Sequence, residues 1–190
     1  MIEGKKLDFW IVFLAAALGV FVLYGCARTD EEGETMDQIQ VSSSAFDEGE
    51  MMVPRYSCDG QNVSPPLSWM GVPKEAESLA LIVNDPDASR GSWAHWVVYN
   101  MEPGLTELPE GVDTFSGESR IGMEGKNDFG DIGYGGPCPP RGTPHRYQFK
   151  VYALDTSLDL PQGATKSQIE RAMEGHILAQ GQLMARYQRQ

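Results

Sequence analysis

The stretch Ser78–Asn100, with the sequence SLALIVNDPDASRGSWAHWVVYN, predicts two buried strands joined by a polar turn. Residues 78–84 form an apolar run that ends at Asp85-Pro86, and residues 96–100 form a second one. Their short length and β-branched content favour strands over helices. Because binding groups tend to lie on loops held by a rigid sheet, the turn between these strands is the first place to look for a functional site.

Further strand candidates surround this pair and predict a mainly β fold. In residues 147–151, alternation places Tyr147, Phe149 and Val151 on one face. Shorter candidates lie at residues 39–43, 51–56 and 67–69. Prolines and glycines separate these segments, and no helical pattern alternates with them, so we expect an antiparallel sandwich or a barrel-like core.

The C-terminal segment follows a different pattern, which predicts helix. Thr165-Lys166-Ser167-Gln168 has the form of a capping box, in which the Thr and Gln side chains satisfy free backbone amides. Apolar residues then recur at helical spacing, at Ile169, Met173, Ile177 and Met184. We therefore expect one or two amphipathic helices packed on the sheet. Gly175 and Gly181 mark either a break between two helices or a close packing contact, since each costs about 1 kcal/mol inside a helix.

The N-terminus, residues 1–25, has the order of a targeting segment. Lys5 and Lys6 precede the apolar run 9–23, as in a secretory signal, and the run is short for a membrane span of about 20 residues. Leu23-Tyr24-Gly25-Cys26 is similar to a bacterial lipobox, which predicts lipidation of Cys26. An uncleaved single-span anchor and plain secretion are the alternatives. All three place the rest of the chain outside the cytoplasm, and the first two anchor it to a membrane.

Residues 26–38 are acidic and poor in apolar side chains, which predicts a tether that does not order itself. Residues 39–190 have the usual size of one domain. The formal net charge is −12, and no cluster of Lys and Arg interrupts it. This pattern argues against a nucleic-acid partner and against an anionic-lipid surface, since both need a basic footprint. Contact with a membrane is therefore expected only through the N-terminal lipid or anchor.

Asp85, His95 and His145 are the first candidates for chemistry. Each lies where a loop meets a predicted strand, so all three can reach one end of the sheet. Two imidazoles and a carboxylate in one partly buried pocket would shift one another's pKa values. The simpler interpretation is structural, because Asp before Pro often closes a turn and a His at a strand end often bonds to backbone.

The loop 133–142 is the second candidate, because its glycine amides could form a small anion nest. A tight structural turn is the simpler interpretation. With Cys26 assigned to the lipid, Cys58 and Cys138 remain, and an exported pair can form a disulfide. The geometry of a disulfide is strict, and sequence spacing does not show whether the two cysteines are close.

These motifs together resemble the phosphatidylethanolamine-binding protein family, and more narrowly its prokaryotic branch that is similar to Raf kinase inhibitor protein. The resemblance runs in order over residues 39–187. It is carried by Asp85-Pro86-Asp87-Ala88, Trp93-Ala94-His95, Gly135-Gly136-Pro137-Cys138-Pro139-Pro140 and His145-Arg146-Tyr147. It implies a large antiparallel sheet packed on a smaller sheet, with C-terminal helices and a small anion pocket at one end.

Carried over residue by residue, the resemblance gives the lining of that pocket: Asp85, Asp87, His95, the loop 136–140 with Gly136, Cys138 and Pro140, His145 and Tyr147. The stretch from Ser89 to His95 is shorter than in eukaryotic members, so a partner surface built on that loop is not transferred.

Three functions follow from these observations. The first is a binding module, in which protonated His95 or His145 holds a phosphate or carboxylate headgroup in a pocket too small for a whole lipid. The second is regulation or inhibition through a protein partner. The third is an enzyme that uses the Asp/His/His set for metal or acid-base chemistry. No activated nucleophile is evident, so we predict binding, with no catalytic residue, no metal and no cofactor.

Overall fold

The computed structural model describes residues 37–112 and 121–189. Its main element is a six-stranded sheet with the strand order β1-β9-β8-β4-β5-β7. Every neighbouring pair in it is antiparallel except β1 and β9, which run parallel. Its strands are β1 (Asp37–Gln38), β4 (Ser78–Asp85), β5 (Trp93–Met101), β7 (Met123–Glu124), β8 (His145–Leu154) and β9 (Ile177–Tyr187).

A second, three-stranded antiparallel sheet packs against one face of the large sheet. It consists of β2 (Gln40–Ser42), β3 (Leu67–Met70) and β6 (Glu107–Leu108). Leu67 and Trp69 from this sheet share one buried cluster with Leu81 and Phe149 of the large sheet. The expected fold, a large antiparallel sheet packed on a smaller one, is confirmed.

In the described part of the chain one α-helix, α1 (Lys166–Met173), covers part of the other face of the large sheet. It begins at the predicted capping box, in which the Thr165 amide donates to Oε1 of Gln168 at 2.9 Å. Ile169 and Met173 bury its apolar side against Ile82 and Tyr99. All eight residues of β4 are buried, and cover on both faces explains why residues 79–83 are continuously apolar rather than alternating.

Of the one or two helices expected, the described residues contain one, α1, whereas Ile177 and Met184, which were also expected to be helical, lie in a strand. Residues 177–187 form β9, which pairs with β8 along its whole length. A few apolar residues at helical spacing led to the wrong prediction. The burial of the side chains instead alternates with a period of two, as in a strand: Leu183 and Ala185 are buried and their neighbours are more exposed. Gly175, with φ at 81°, follows the end of the helix. A Cβ atom on Gly181 would collide with the backbone of Ile39, so this glycine is a close packing contact.

The strand expected at residues 51–56 is also wrong. Met51 makes one isolated bridge, to Arg186, and Pro54–Tyr56 form a 3-10 turn. Pro54 lacks the amide hydrogen that a strand ladder needs. Within the described residues, no helix is long and apolar enough to cross a membrane. The predicted targeting segment and Cys26 lie outside the described residues.

Candidate functional site

A cavity of about 250 Å³ lies at one end of the large sheet. The end of β4 meets the starts of β5 and β8 there, because β4 runs antiparallel to both neighbours. The lining residues come from these three strand ends and from two loops: Asp85, Asp87, Ala88, Ser89, Trp93, His95, Phe129, Cys138, Pro139, Pro140, His145 and Tyr147. Of the residues expected in the pocket from the sequence, all but Gly136 and Pro137 are in this set.

Asp85 has two structural partners inside the pocket. Its Oδ2 accepts a hydrogen bond from Nδ1 of His145 at 2.7 Å, and its Oδ1 accepts the backbone amide of Asp87 at 2.8 Å. The side chains of Asp85 and His145 are 5% and 15% exposed. The carboxylate thus closes the turn, as the structural interpretation expected, and also fixes the imidazole. Because Nδ1 donates to Asp85, Nε2 is the nitrogen of His145 left for other contacts.

His95 is held in a different way. A register shift between β4 and β5 pairs Val83 with Trp96 and Asn84 with Ala94, which leaves His95 as the extra residue of a β-bulge. Bulges of this kind redirect side chains next to functional sites. The ring of His95 is buried and its Nδ1 lies 2.6 Å from the carbonyl oxygen of Gly135.

Burial lowers the pKa of His95, and the carbonyl oxygen of Gly135 and the charge of Asp85 only partly oppose it. The ring also packs edge-on against Phe129 and Tyr147, with centroid distances of 5.2 and 5.1 Å. His95 therefore favours the neutral imidazole, which makes it the weaker of the two alternatives for the protonated imidazole, His95 or His145. His145 remains the candidate for that role.

Asp87 lies at the rim of the pocket and is engaged by Arg146. The guanidinium Nη2 donates to Asp87 Oδ1 at 2.6 Å and Nε donates to Oδ2 at 3.0 Å. The Arg146 amide also donates to Oδ2 at 2.9 Å. These contacts lower the pKa of Asp87 to about 2. Asp87 therefore stays ionised at neutral pH and ties the turn after β4 to the start of β8.

In the loop 133–142, the amides of Gly135 and Gly136 are hydrogen-bonded within the protein, so these two do not form the expected anion nest. The Gly136 amide donates to Oδ1 of Asn62 at 2.8 Å, and the Gly135 amide donates to the carbonyl oxygen of His95 at 2.8 Å. A Cβ atom on Gly136 would collide with the carbonyl oxygen of Tyr56. The glycines thus serve close packing, and Gly136 is absent from the pocket wall for this reason.

A disulfide joins Cys58 to Cys138 in the structure, with the two Cα atoms 5.4 Å apart. The Cys58 amide also donates to the carbonyl oxygen of Pro137 at 3.1 Å. Cys138, Pro139 and Pro140 form one wall of the cavity. The disulfide therefore connects that wall to the loop at residues 57–60.

Two polar atoms of the pocket residues stand out because they are buried without a hydrogen-bond partner in the described part of the chain. They are Nε1 of Trp93 and the hydroxyl of Tyr147. Burial raises the pKa of Tyr147 far above its usual range, and the charge of Asp85 and a hydrogen-bonding interaction with its carboxylate act in the same direction, so the hydroxyl keeps its proton. Nε1 of Trp93 is therefore a donor without an acceptor, and the Tyr147 hydroxyl is a donor whose interaction with Asp85 falls outside ordinary hydrogen-bond geometry.

Sequence reasoning did not include Trp93 and Phe129 in the pocket. Trp93 could have been found, since it lies two residues before His95 and side chains at this spacing share one face of a strand. Phe129 comes from a distant loop and packs against Trp93, with ring centroids 5.5 Å apart, and no local pattern indicates this contact.

A metal site finds no support in the described residues, where no three His, Cys, Asp or Glu side chains are grouped so as to hold an ion. The Asp/His/His set offers instead one ion pair or hydrogen-bonded pair, Asp85 with His145, and one separately held neutral imidazole, His95.

Comparison with known proteins gives consistent results. Residues 42–188 match the family model described as phosphatidylethanolamine-binding protein. A UPF0098 protein of Methanothermobacter thermautotrophicus is 49% identical over 151 residues, which cover 80% of this chain and 99% of that protein.

Two crystal structures are similar over 80% of this chain and 99% of their own. One is a phosphatidylethanolamine-binding protein homologue from Chlamydia trachomatis, with 44% identity and a TM-score of 0.73. The other is E. coli YbcL, described as a member of the mammalian family of these proteins, with 34% identity and a TM-score of 0.75. The chain belongs to the phosphatidylethanolamine-binding protein family, in its prokaryotic form.

Proposed function

We propose that this protein is a binding module for a small oxyanion, such as a phosphate or carboxylate headgroup, which it holds in the cavity between Asp85, His145 and Tyr147. The observation that supports this most strongly is the pair of buried donors that make no hydrogen bond of ordinary geometry in the described residues, Nε1–H of Trp93 and O–H of Tyr147. A buried donor that lacks an acceptor costs about 1–3 kcal/mol, so such groups are rare unless they serve a purpose. The oxygen atoms of an anion are suitable acceptors for both.

The charge needed for an anion is local, because the chain as a whole is acidic. When His145 is protonated, its Nε2–H adds a third donor, and Asp85 at Nδ1 stabilises the imidazolium. Arg146 does not contribute directly, since Asp87 engages it. The volume of about 250 Å³ is below the range of roughly 300–1,000 Å³ that pockets for drug-sized ligands occupy. It suits a headgroup rather than a whole lipid.

An enzyme is the alternative, and it rests on the Asp85–His145 pair, which has the form of an oriented general base. A nucleophilic mechanism would need a partner at Nε2 of His145. Ser89 lines the cavity, but its hydroxyl makes no hydrogen bond to an imidazole in the described residues. Binding is therefore the better supported function.

Isothermal titration calorimetry tests the proposal on the full-length protein in mild detergent. We expect inorganic phosphate or phosphoethanolamine to bind, and we expect Tyr147→Phe and Trp93→Phe each to weaken that binding by about tenfold. His176→Ala is the matched control, because His176 pairs with the exposed Asp155 away from the cavity. Equal affinity in the wild type and both pocket variants would contradict the proposal.

The pH dependence provides a second arm of the same experiment. Histidine is the side chain that changes charge around neutral pH, so binding that uses the imidazolium of His145 should weaken as the pH rises. The variant His145→Ala should bind more weakly and lose most of this dependence. An unchanged pH profile in that variant would remove His145 from the site.

We also propose that the module is extracytoplasmic, held at a membrane through lipidated Cys26, and that it regulates or inhibits a protein partner. The Leu23–Cys26 motif supports the membrane anchor. The disulfide supports a location outside the cytoplasm, because disulfides persist in oxidising compartments. A Cys26→Ser variant expressed in bacteria should lose labelling by a fatty-acid probe. Equal labelling of the variant and the wild type would exclude lipidation at Cys26.

A further inference from the structure

We infer that the pocket selects oxyanions that carry a proton, that is, phosphate and phosphate monoesters, over fully ionised oxyanions such as sulfate and over phosphate diesters. This inference rests on the proposed anion binding and makes it more specific. It follows from the hydrogen-bond acceptors that the pocket presents beside its donors.

The first acceptor is Nε2 of His95. A carbonyl oxygen can only accept, so the 2.6 Å contact with Gly135 places the proton of the neutral ring on Nδ1. Nε2 then carries a lone pair on the wall of the cavity and has no hydrogen-bond partner among the described residues. If an anion oxygen without a proton faced this lone pair, two hydrogen-bond acceptors would oppose each other and no hydrogen bond could form.

The charged and titratable groups around His95 maintain this arrangement. Asp85 and Asp128 contribute negative charge, while His145 and Tyr147 line the same cavity. The two carboxylates favour protonation of His95, but burial acts in the opposite direction and is the larger effect on its pKa. The neutral ring with an accepting Nε2 is therefore the state that a ligand meets near neutral pH.

The second acceptor is the carboxylate of Asp85. Each of its oxygens accepts one hydrogen bond, from His145 or from the amide of Asp87, and keeps a further lone pair. A cavity that combines these acceptors with the donors of Trp93 and Tyr147 matches a ligand that has both kinds of group. Phosphate monoesters have a second pKa near 6, so around neutral pH they present a P–OH donor as well as acceptor oxygens.

Sulfate and phosphate diesters present acceptors only. A buried site built to hydrogen-bond a hydroxyl rejects analogues without it, because its own polar group is left unpaired. The consequence for this family member is specific. The headgroup of an intact phospholipid is a phosphate diester, so the pocket should prefer a free phosphate monoester to the lipid headgroup.

Calorimetry on the full-length protein at about pH 6.5 tests this with probes matched in shape. Phosphate is compared with sulfate, and methyl phosphate with dimethyl phosphate. Glycerophosphoethanolamine represents the lipid headgroup. We expect each protonated member of the matched pairs to bind at least about tenfold more tightly, and glycerophosphoethanolamine to bind as weakly as dimethyl phosphate.

The variant His95→Asn isolates the acceptor. An Asn side chain can still donate to the carbonyl oxygen of Gly135, but it offers nothing at the position of Nε2. We expect the preference for phosphate over sulfate to fall to within about threefold, with His176→Ala unchanged from the wild type. A preference that persists undiminished in a folded His95→Asn variant would exclude His95 as its source and overturn the inference.

The wild type alone provides a further test if His95→Asn does not fold. Sulfate keeps one protonation state between about pH 5.5 and pH 8, whereas phosphate changes. Phosphate affinity should therefore fall more steeply than sulfate affinity as pH rises. Equal affinity for phosphate and sulfate at all pH values would overturn this inference and leave anion binding intact. Absence of binding to any probe would overturn both proposals.

Discussion

The middle of the large sheet and its pocket end use the same kinds of side chain in opposite ways. In the middle, Nε1 of Trp96 donates to Oε1 of Glu124 at 2.8 Å, and the hydroxyl of Tyr99 donates to the carbonyl oxygen of Pro161 at 2.6 Å. At the pocket end, Trp93 and Tyr147 bury the same polar atoms with no partner in the described residues. Satisfied buried groups stabilise a fold, whereas unsatisfied ones cost free energy and point to a functional site.

The largest effect is expected in the middle of the sheet. Phe149 is fully buried between the two sheets, where it packs against Phe46 with ring centroids 5.4 Å apart. Phe149→Ala should lower the free energy of unfolding by about 3–5 kcal/mol, because it opens a cavity in the core. Denaturant unfolding measures this, with Gln182→Ala on an exposed position of β9 as the control. A change below about 1 kcal/mol would contradict the core position of Phe149.

The disulfide links the fold to the pocket and should give the next largest effect. The double variant Cys58→Ser and Cys138→Ser opens a link between residues 80 apart in sequence, which should lower the free energy of unfolding by about 2–4 kcal/mol. It should also weaken phosphate binding, since Cys138 is part of the cavity wall. Non-reducing peptide mapping of the wild type should show one cross-linked pair, and two freely alkylated thiols would rule the disulfide out.

The two tyrosines provide a direct contrast. Tyr99→Phe should lower the free energy of unfolding by about 0.5–1.5 kcal/mol, because it removes the hydrogen bond to the carbonyl oxygen of Pro161, which keeps only the Ala164 amide as a donor. Tyr147→Phe should be neutral or stabilising in the absence of ligand, because it removes a buried donor that makes no hydrogen bond of ordinary geometry. Equal destabilisation by the two variants would show that Tyr147 is satisfied in the folded protein.

The smallest effect concerns Asp87 at the rim of the pocket. Its folded-state pKa of about 2 lies below the ordinary value of 3.8, because Arg146 stabilises the carboxylate. The contact therefore contributes stability above pH 4 and loses it as pH falls from about 4 to about 2. In the variant Asp87→Asn, the free energy of unfolding should decrease less steeply between about pH 4 and pH 2 than in the wild type. An unchanged slope would show that the contact with Arg146 is solvent-screened.

The sequence predicts the strands around the pocket well because their patterns are local. The apolar run of β4 and the alternation in β8 define two of the strands, and the turn residues mark where they end. Asp85, His145 and Tyr147 could be assigned to the pocket because they occupy those ends. The prediction failed at β9, where apolar residues that also fit helical spacing form a strand beside β8.

The electrostatic state of the pocket could not be predicted in the same way. His95 and His145 look equivalent in sequence, yet one sits in a β-bulge against a carbonyl oxygen and the other pairs with Asp85. Gly136 belongs to the right loop but uses its amide on Asn62, a residue distant in sequence. Bulges, amide partners and the contact of Phe129 depend on tertiary structure, and no local pattern encodes them.

The most direct test of the central claim is a crystal structure of the protein grown with phosphate. We expect one phosphate in the cavity, with its oxygens within hydrogen-bond distance, about 3.2 Å, of both Nε1 of Trp93 and the hydroxyl of Tyr147. A cavity in which ordered water satisfies both donors while phosphate binds elsewhere, or does not bind, would contradict the claim that this end of the sheet is an oxyanion site.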